Sequence, residues 1–352
     1  MKQIDNILRV LDRANSRTIT VFGDYCLDKY LYIDPVRNES SVETGLTAYQ
    51  ADRKTLSPGA GGTIANNLRS LGAHVLCVGL VGEDGEGYDL LKGLKQIGAD
   101  TDLMVRSESI LTNTYMKPMQ KESNGTYSEM NRIDIRNFKE TSSELEDRLI
   151  SNLKKALDTS QGVVVSEQFL QRNYSVATNR IRDEIAELAV RFSDKFFFVD
   201  SRGFAGCYRQ VIVKCNQYEL PGAEKDENIE DENSIIARAK KLLAANGRAV
   251  VVTLGARGAL VFERDTMERI PAFPVDGPLD IVGAGDATNA GSILGLSLGL
   301  TLPEAVLLGG CVSSITIQQM GSTGTATIEQ VGRRFRDCEL SGAGSSKPLE
   351  RT

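Results

Sequence analysis

The apolar positions of this chain follow two alternating rhythms. Short, nearly continuous apolar runs recur over 18–24, 75–81, 162–167, 196–200, 211–216 and 249–255, each bounded by glycine or a polar residue. Runs of that length and β-branched content read as buried strands. Between them the period changes to that of a helix. Ile4, Ile7, Leu8 and Leu11 mark one helical face, and a helix over 63–71 stops at Gly72. Further helices are predicted over 87–97, 142–158, 174–193, 232–246, 286–299 and 303–319. Strand, helix, strand, helix in this order specifies a mainly parallel sheet covered by helices, an α/β fold.

Two stretches break the pattern. Residues 30–56 and 110–137 are polar and β-like, without helical period. They read as excursion strands outside the main sheet, a small β lid. Ser57 to Gly62 reads as a flexible loop leading into the helix at 63. One domain over 1–340 follows, and the tail 341–352, poor in apolar residues, reads as disordered. Three strands of the main set end in Asp200, Asn216 and Thr253. Ligands of open α/β sheets gather at the C-terminal strand ends, so these groups are expected to share one cleft.

Composition narrows the function classes. The net charge of −6 over 352 residues, with no long Lys/Arg cluster, argues against a nucleic-acid or membrane-surface role. No apolar run reaches the roughly 18 residues that span a bilayer. Residues 1–16 have a helical face rather than a signal-peptide pattern. The six cysteines, at 26, 77, 207, 215, 311 and 338, include no CxxC pair and read as buried thiols of a cytoplasmic protein. His74 is the single histidine and sits at a strand entrance. Ser-His-Asp, Cys-His and multi-histidine zinc chemistry would all depend on it, with no serine or cysteine motif around it.

The strongest chemical signal is Pro278-Leu-Asp-Ile-Val-Gly-Ala-Gly-Asp286. Gly283, Ala284 and Gly285 place consecutive backbone N–H groups at a helix N-terminus, an anion site, with the Asp286 carboxylate beside it. An Asp after a glycine turn is also an ordinary N-cap. A carboxylate beside an anion makes chemical sense when it acts on something approaching the anion, such as a hydroxyl attacking a phosphoryl group.

Asp280-Ile-Val-Gly-Ala-Gly-Asp286 resembles the Asp-Thr-x-Gly-Ala-Gly-Asp signature of the ribokinase-type (PfkB) carbohydrate kinases, with Ile281 in place of the usual small residue. Gly61-Gly62-Thr63-Ile64-Ala65-Asn66 is similar to that family's Gly-Gly-x-x-x-Asn, Asn216-Gln-Tyr-Glu219 to its Asn-x-x-Glu, and Thr253-Leu-Gly255-Ala-Arg-Gly258 to its Thr-x-Gly-x-x-Gly. The resemblance runs from about 18 to 330, and Gly23-Asp24-Tyr25-Cys26-Leu27-Asp28 is most like the opening of heptose-7-phosphate kinases. It implies a ribokinase-like three-layer αβα sandwich and ATP-dependent phosphorylation of a hydroxyl of a sugar or sugar phosphate.

The resemblance also implies roles. Asp286 is the general base and Gly283–Gly285 the anion hole. Asp28, Gly61, Gly62 and Asn66 meet the acceptor, with Asn67 the alternative for a shifted register. Asn216, Glu219, Thr253, Gly255 and Gly258 flank ATP. Glu219 acts on Mg²⁺ through water, and the family's K⁺ site, if kept, falls on Asp280 and Ser322. From position alone, Glu167 reads as an acceptor contact or an exposed strand end, and Asp24 as a loop holder. Asp286 at a helix N-terminus should be a weak base, because the dipole favours its charged form. The loop 271–279 suits an adenine face or is an ordinary connection. Lys117 and Arg132 are the cations to watch if the acceptor already carries a phosphate. A homodimer through the lid strands is implied as well. A nucleoside kinase stacking its base on Tyr25, Tyr30, Tyr32 or Tyr49, and a non-catalytic sugar-binding regulator, are the competing readings.

Overall fold

The computed structural model describes residues 2–225, 228–321 and 323–342. The chain opens with α1 (Lys2–Leu11) and β1 (Thr18–Gly23), then leaves the main sheet through β2 (Tyr25–Ile33), the β3–β4 hairpin (Glu39–Ser40 and Thr47–Ala48) and β5 (Ala51–Ala60). Helix α2 (Gly61–Ser70) returns it to β6 (His74–Val78), followed by β7 (Leu80–Gly82), α3 (Gly85–Gln96) and β8 (Val105–Ser107). A second excursion forms β9 (Thr114–Lys121), β10 (Tyr127–Glu129) and β11 (Ile133–Ile135). Alternation resumes with α4 (Ser143–Leu157), β12 (Gly162–Glu167), α5 (Asn179–Arg191), β13 (Phe196–Ser201), β14 (Ile212–Asn216), α6 (Glu232–Asn246) and β15 (Ala249–Thr253). Strands β16 (Ala259–Glu263) and β17 (Thr266–Ile270) precede α7 (Ala284–Ser297), α8 (Leu302–Thr316) and α9 (Ile328–Gly342).

The main sheet has eight strands in the order β17-β16-β15-β14-β13-β12-β1-β6. From β15 to β6 every pairing is parallel, and β16 and β17 add an antiparallel edge. Alternate residues of the central strands enter two separate cores. Val21, Val164, Phe198 and Val251 pack with α1, α2, α7 and α8. Val163, Val165, Val199, Val213 and Val252 pack with α4, α5 and α6. Burial on both faces is why these strands read as continuous apolar runs.

The lid is a second sheet, order β10-β9-β2-β5 with β11 also on β9. Both excursion segments therefore join one structure, β2 pairing in parallel with β9 and antiparallel with β5.

Several expectations change. Ser57–Ala60 is the end of β5, not a loop. Pro58 is tolerated there because β5 is the edge strand of the lid. The run 75–81 is two strands, because Gly79 passes so close to Gly23 and Tyr25 that a Cβ there would lie 2.6 Å from the Gly23 carbonyl oxygen. Helix α9 extends the fold beyond the two final helices expected and contains the first two residues of the predicted tail; residues 343–352 lie outside the described residues. Among the described residues, no helix is long and apolar enough to cross a membrane.

Candidate active site

Parallel pairing aligns the C-terminal ends of β1, β12, β13, β14 and β15 in one row. Gly23 pairs with Ser166, Ser166 with Asp200, Asp200 with Lys214 and Asn216 with Thr253. Asp200, Asn216 and Thr253 thus reach one edge, as expected. Helix α7 begins over the same edge, and its N-cap is Gly283 at φ 80°, a left-handed conformation that disfavours any side chain. A Cβ on Gly283 would sit 3.2 Å from the Thr63 methyl on α2 and 3.4 Å from Thr323. The N-termini of α2 and α7 therefore converge; the Gly61 N–H is taken by the Asp24 carbonyl at 2.9 Å and the Ala284 N–H by the Ile281 carbonyl at 3.1 Å.

Asp286 lies in the first turn of α7, half-buried, and its carboxyl is pushed up to about 7. Burial is the main cause; the Asp200 charge adds to it, Lys214 and Arg202 oppose it, and Asp28 adds a little more. The expectation of a weak base held down by the helix dipole is overturned: desolvation and a second carboxylate outweigh the helix terminus.

Lys214 stands at the same edge and was not singled out by sequence reading. Its Nζ donates to Asp200 Oδ2 at 2.7 Å, and Asn289 Nδ2 donates to the same oxygen at 2.6 Å. Lys214 is buried, and a Cβ on Gly285 would lie 3.0 Å from its Nζ. Burial pushes this ammonium down, but Asp200, Glu219 and Asp286 together hold it above its ordinary range. A lysine inside the apolar run 211–216 was the available signal, since charge in a buried strand needs a reason.

On the acceptor side, Asp28 on β2 is buried and its Oδ1 pairs with Lys117 Nζ at 2.9 Å. Lys117 Nζ also donates to the Tyr30 hydroxyl at 3.1 Å. Gly59 brings backbone against this carboxylate; a Cβ there would lie 2.4 Å from Asp28 Oδ2. Gly61 and Gly62 pack against Tyr25 and Pro58. Asn66 is half-buried on α2, while Asn67 is buried and donates to the carbonyls of Thr63 and Gly324. Arg132 is held bidentate by Asp134 and lies over the Tyr115 ring.

Glu167 is not an exposed strand end. It is fully buried, bonded to Arg182, Ser201 Oγ (2.7 Å) and the Tyr208 hydroxyl (2.9 Å). Its partners satisfy it completely, which the apolar strand before it could not reveal. Asp24 does hold a loop: its two oxygens accept the backbone N–H groups of Gln168 (2.8 Å) and Val176 (2.9 Å). Tyr25 is buried with its hydroxyl on the Val21 carbonyl, so it offers no stacking face.

On the opposite side, Asn216 and Glu219 close a turn together. Glu219 Oε2 accepts the Asn216 N–H at 2.8 Å, and Asn216 Oδ1 accepts the N–H groups of Tyr218 and Glu219. Glu219 Oε1 takes no hydrogen bond among the described residues, which leaves one carboxylate oxygen for a hydrated metal ion. Thr253 is half-buried, Gly255 borders open space, and Gly258 packs on the 270–272 backbone. In the loop 271–279, Phe273 turns inward and meets Phe335 edge-on at 5.3 Å, so it covers no ligand face. Asp280 accepts the N–H groups of Val282 (3.1 Å) and Gly321 (3.2 Å), and Ser322 lies outside the described residues.

A carboxylate of raised basicity thus stands at a helix N-terminus close to a buried ammonium, at the C-terminal edge of the sheet of an α/β fold. The chain belongs to the pfkB family of carbohydrate kinases, which it matches over residues 19–329. It is 27% identical over 321 residues to the bifunctional protein HldE of Hyphomonas neptunium and 29% over 333 residues to that of Wolinella succinogenes. These alignments cover 91% and 92% of the chain but 63% and 65% of the relatives, so the chain spans less than two thirds of their length. Its fold is ribokinase-like. The phosphofructokinase-2 of Escherichia coli in complex with potassium superposes with a TM-score of 0.70 at 18% identity, covering 92% of this chain and 99% of that one. Arabidopsis thaliana ribokinase complexed with ribose and ATP gives 0.65 at 17%, covering 91% and 98%.

Proposed function

We propose that this carbohydrate kinase transfers the γ-phosphoryl group of ATP to a hydroxyl of a sugar or sugar phosphate, with Asp286 as general base. The observation that carries this reading is the Asp286 carboxyl, pushed up to about 7 at the start of α7, with Asp200, Lys214 and Asp28 bearing on it. A base that titrates near neutrality is matched to taking a proton from an alcohol as it attacks. The acceptor O–H bond breaks and its proton goes to Asp286. The freed oxygen bonds to the γ-phosphorus while the bond to the leaving ADP oxygen breaks.

The backbone N–H groups of Gly283 and Gly285 face the equatorial oxygens of the moving group, where charge accumulates; the Ala284 N–H between them donates to the Ile281 carbonyl. Asp28 orients the acceptor by accepting its hydroxyl protons, beside the Gly59 backbone and Asn66. Asn216, Glu219, Thr253 and Gly255 line the nucleotide side, and the free oxygen of Glu219 fits a water-mediated hold on Mg²⁺. Mg²⁺, when bound, neutralises phosphate charge. A K⁺ ion would sit near Asp280, and the lid sheets of two copies would pair, a state that sedimentation measures.

The test is a panel of sugars, sugar phosphates and nucleosides with Mg·ATP, read as ADP release, repeated with Asp286→Asn. Turnover with a sugar or sugar phosphate is expected, reduced by about 10²–10⁴ in the variant. Selective turnover of nucleosides would redirect the acceptor class. Ligand binding without ADP release across the panel would favour a regulator. Near-normal turnover in Asp286→Asn would remove it as the base.

A further inference from the structure

Asp200, Lys214 and Asn289 form one buried cluster at the end of the sheet where α7 begins. Two donors, Lys214 Nζ at 2.7 Å and Asn289 Nδ2 at 2.6 Å, converge on the single oxygen Asp200 Oδ2. All three residues are buried, and Asn289 Oδ1 has no partner. Replacing such an ion pair with apolar side chains is often neutral or stabilising, so its presence asks for a function. Its position supplies one. Gly285 belongs to the proposed anion hole, and Lys214 Nζ stands close against it, 3.0 Å from where its Cβ would be.

We propose that Asp200 is a positioning residue, holding the Lys214 ammonium against the anion hole at Gly285 and away from Asp286. Among the described residues, Lys214 forms its ion pair with Asp200 and none with Asp286. Without that competition the ammonium would be drawn to the Asp286 carboxylate a turn-start away. It would neutralise the base and leave the anion hole without its cation. With Asp200 in place the lysine adds positive charge where the phosphoryl group moves, and Asn289 fixes the carboxylate that holds it. The other groups bearing on Asp286 are Asp28 and Cys26 from β2 and Arg202 just beyond β13, and Glu219 bears on Lys214. None of these replaces the direct bond from Asp200. The inference rests on Asp286 being the base, and it is tested separately from it.

The test is the titration midpoint of Asp286 in the full chain, followed by NMR on protein labelled at the Asp carboxyl carbons, with Asp286→Asn assigning the resonance. In Asp200→Asn the midpoint is expected to fall by about one pH unit, because a like charge is lost and the ammonium turns towards Asp286. Asn289→Ala keeps the charges and loosens the clamp, so a smaller fall is expected there; it carries the test if Asp200→Asn does not fold. Loss of the Asp200 charge lowers the midpoint by itself, so Asn289→Ala, which keeps every charge, decides: a cluster that serves stability alone would lower Tm there and leave the midpoint where it is in wild type, and that result overturns the proposal. Turnover by Asp286→Asn would overturn the base reading instead, while the midpoint still reports where Lys214 points.

Discussion

Asp28 Oδ1 and Lys117 Nζ, from neighbouring strands of the lid, form a 2.9 Å ion pair with each side chain only 11% exposed. Tyr30 caps the same ammonium. The residue assigned to the acceptor is thus already neutralised before any ligand arrives, and an acceptor must share it with a lysine. Removing one partner of a buried pair leaves the other uncompensated. Asp28→Ala is therefore expected to cost about 3 kcal/mol of stability in urea titration as well as raising the acceptor KM. Asp28→Ala with Lys117→Met should recover stability but not KM. Recovery of both would show that Asp28 touches no acceptor.

Two carboxyls, Asp24 and Asp286, are both pushed up to about 7, chiefly by burial. Unfolding returns them to the ordinary range near 3.8. Between those limits the native state binds more protons than the unfolded chain, so stability falls as pH rises from about 4 to 7 and levels off above. Asp84 and Glu304 are shifted the other way, and their contribution is complete before pH 6. Tm at pH 6 should exceed Tm at pH 8, and Asp24→Asn with Asp286→Asn should remove most of that difference. A Tm that rises from pH 6 to 8 would contradict the burial assigned to both groups.

Much of this architecture was legible because the central strands are buried on both faces. Val163–Val165 and Val250–Val252 are uninterrupted apolar runs for that reason, and their ends located Asp200, Asn216 and Thr253 correctly. Failure came where tertiary contact overrides local chemistry. Ser57-Pro58-Gly59 has the composition of a loop, yet β2 recruits it as an edge strand. Gly59 then meets Asp28. Glu167 looked available because its partners Arg182 and Tyr208 are distant in sequence. The basicity of Asp286 was misjudged from the helix terminus alone, since burial and Asp200 come from the fold.

Glu167 itself gives a clean contrast between stability and chemistry. Its carboxylate neutralises Arg182, which is 3% exposed, and accepts from Ser201 and Tyr208. Glu167→Gln keeps the shape but strands a buried guanidinium. A loss of about 3 kcal/mol is expected by chemical denaturation, with the acceptor KM within about twofold of wild type at temperatures where the variant is folded. A tenfold rise in KM without loss of stability would return Glu167 to the acceptor site.

Gly283 carries two demands that a single substitution separates. Its φ of 80° disfavours a side chain, and a Cβ would press on the Thr63 methyl at 3.2 Å while meeting Thr323 at an ordinary 3.4 Å. Gly283→Ala is expected to lose about 1–2 kcal/mol from strain. If the turn serves the fold alone, relieving the contact with Thr63→Ser should restore turnover along with some stability. If the backbone N–H groups hold the moving phosphoryl group, a turn displaced by a few tenths of an ångström still misaligns them. Turnover in Gly283→Ala should then fall at least tenfold while Mg·ATP binding changes little, and Thr63→Ser should recover stability ahead of activity. Equal recovery of both would reduce Gly283 to a structural glycine and leave the anion hole without its first member.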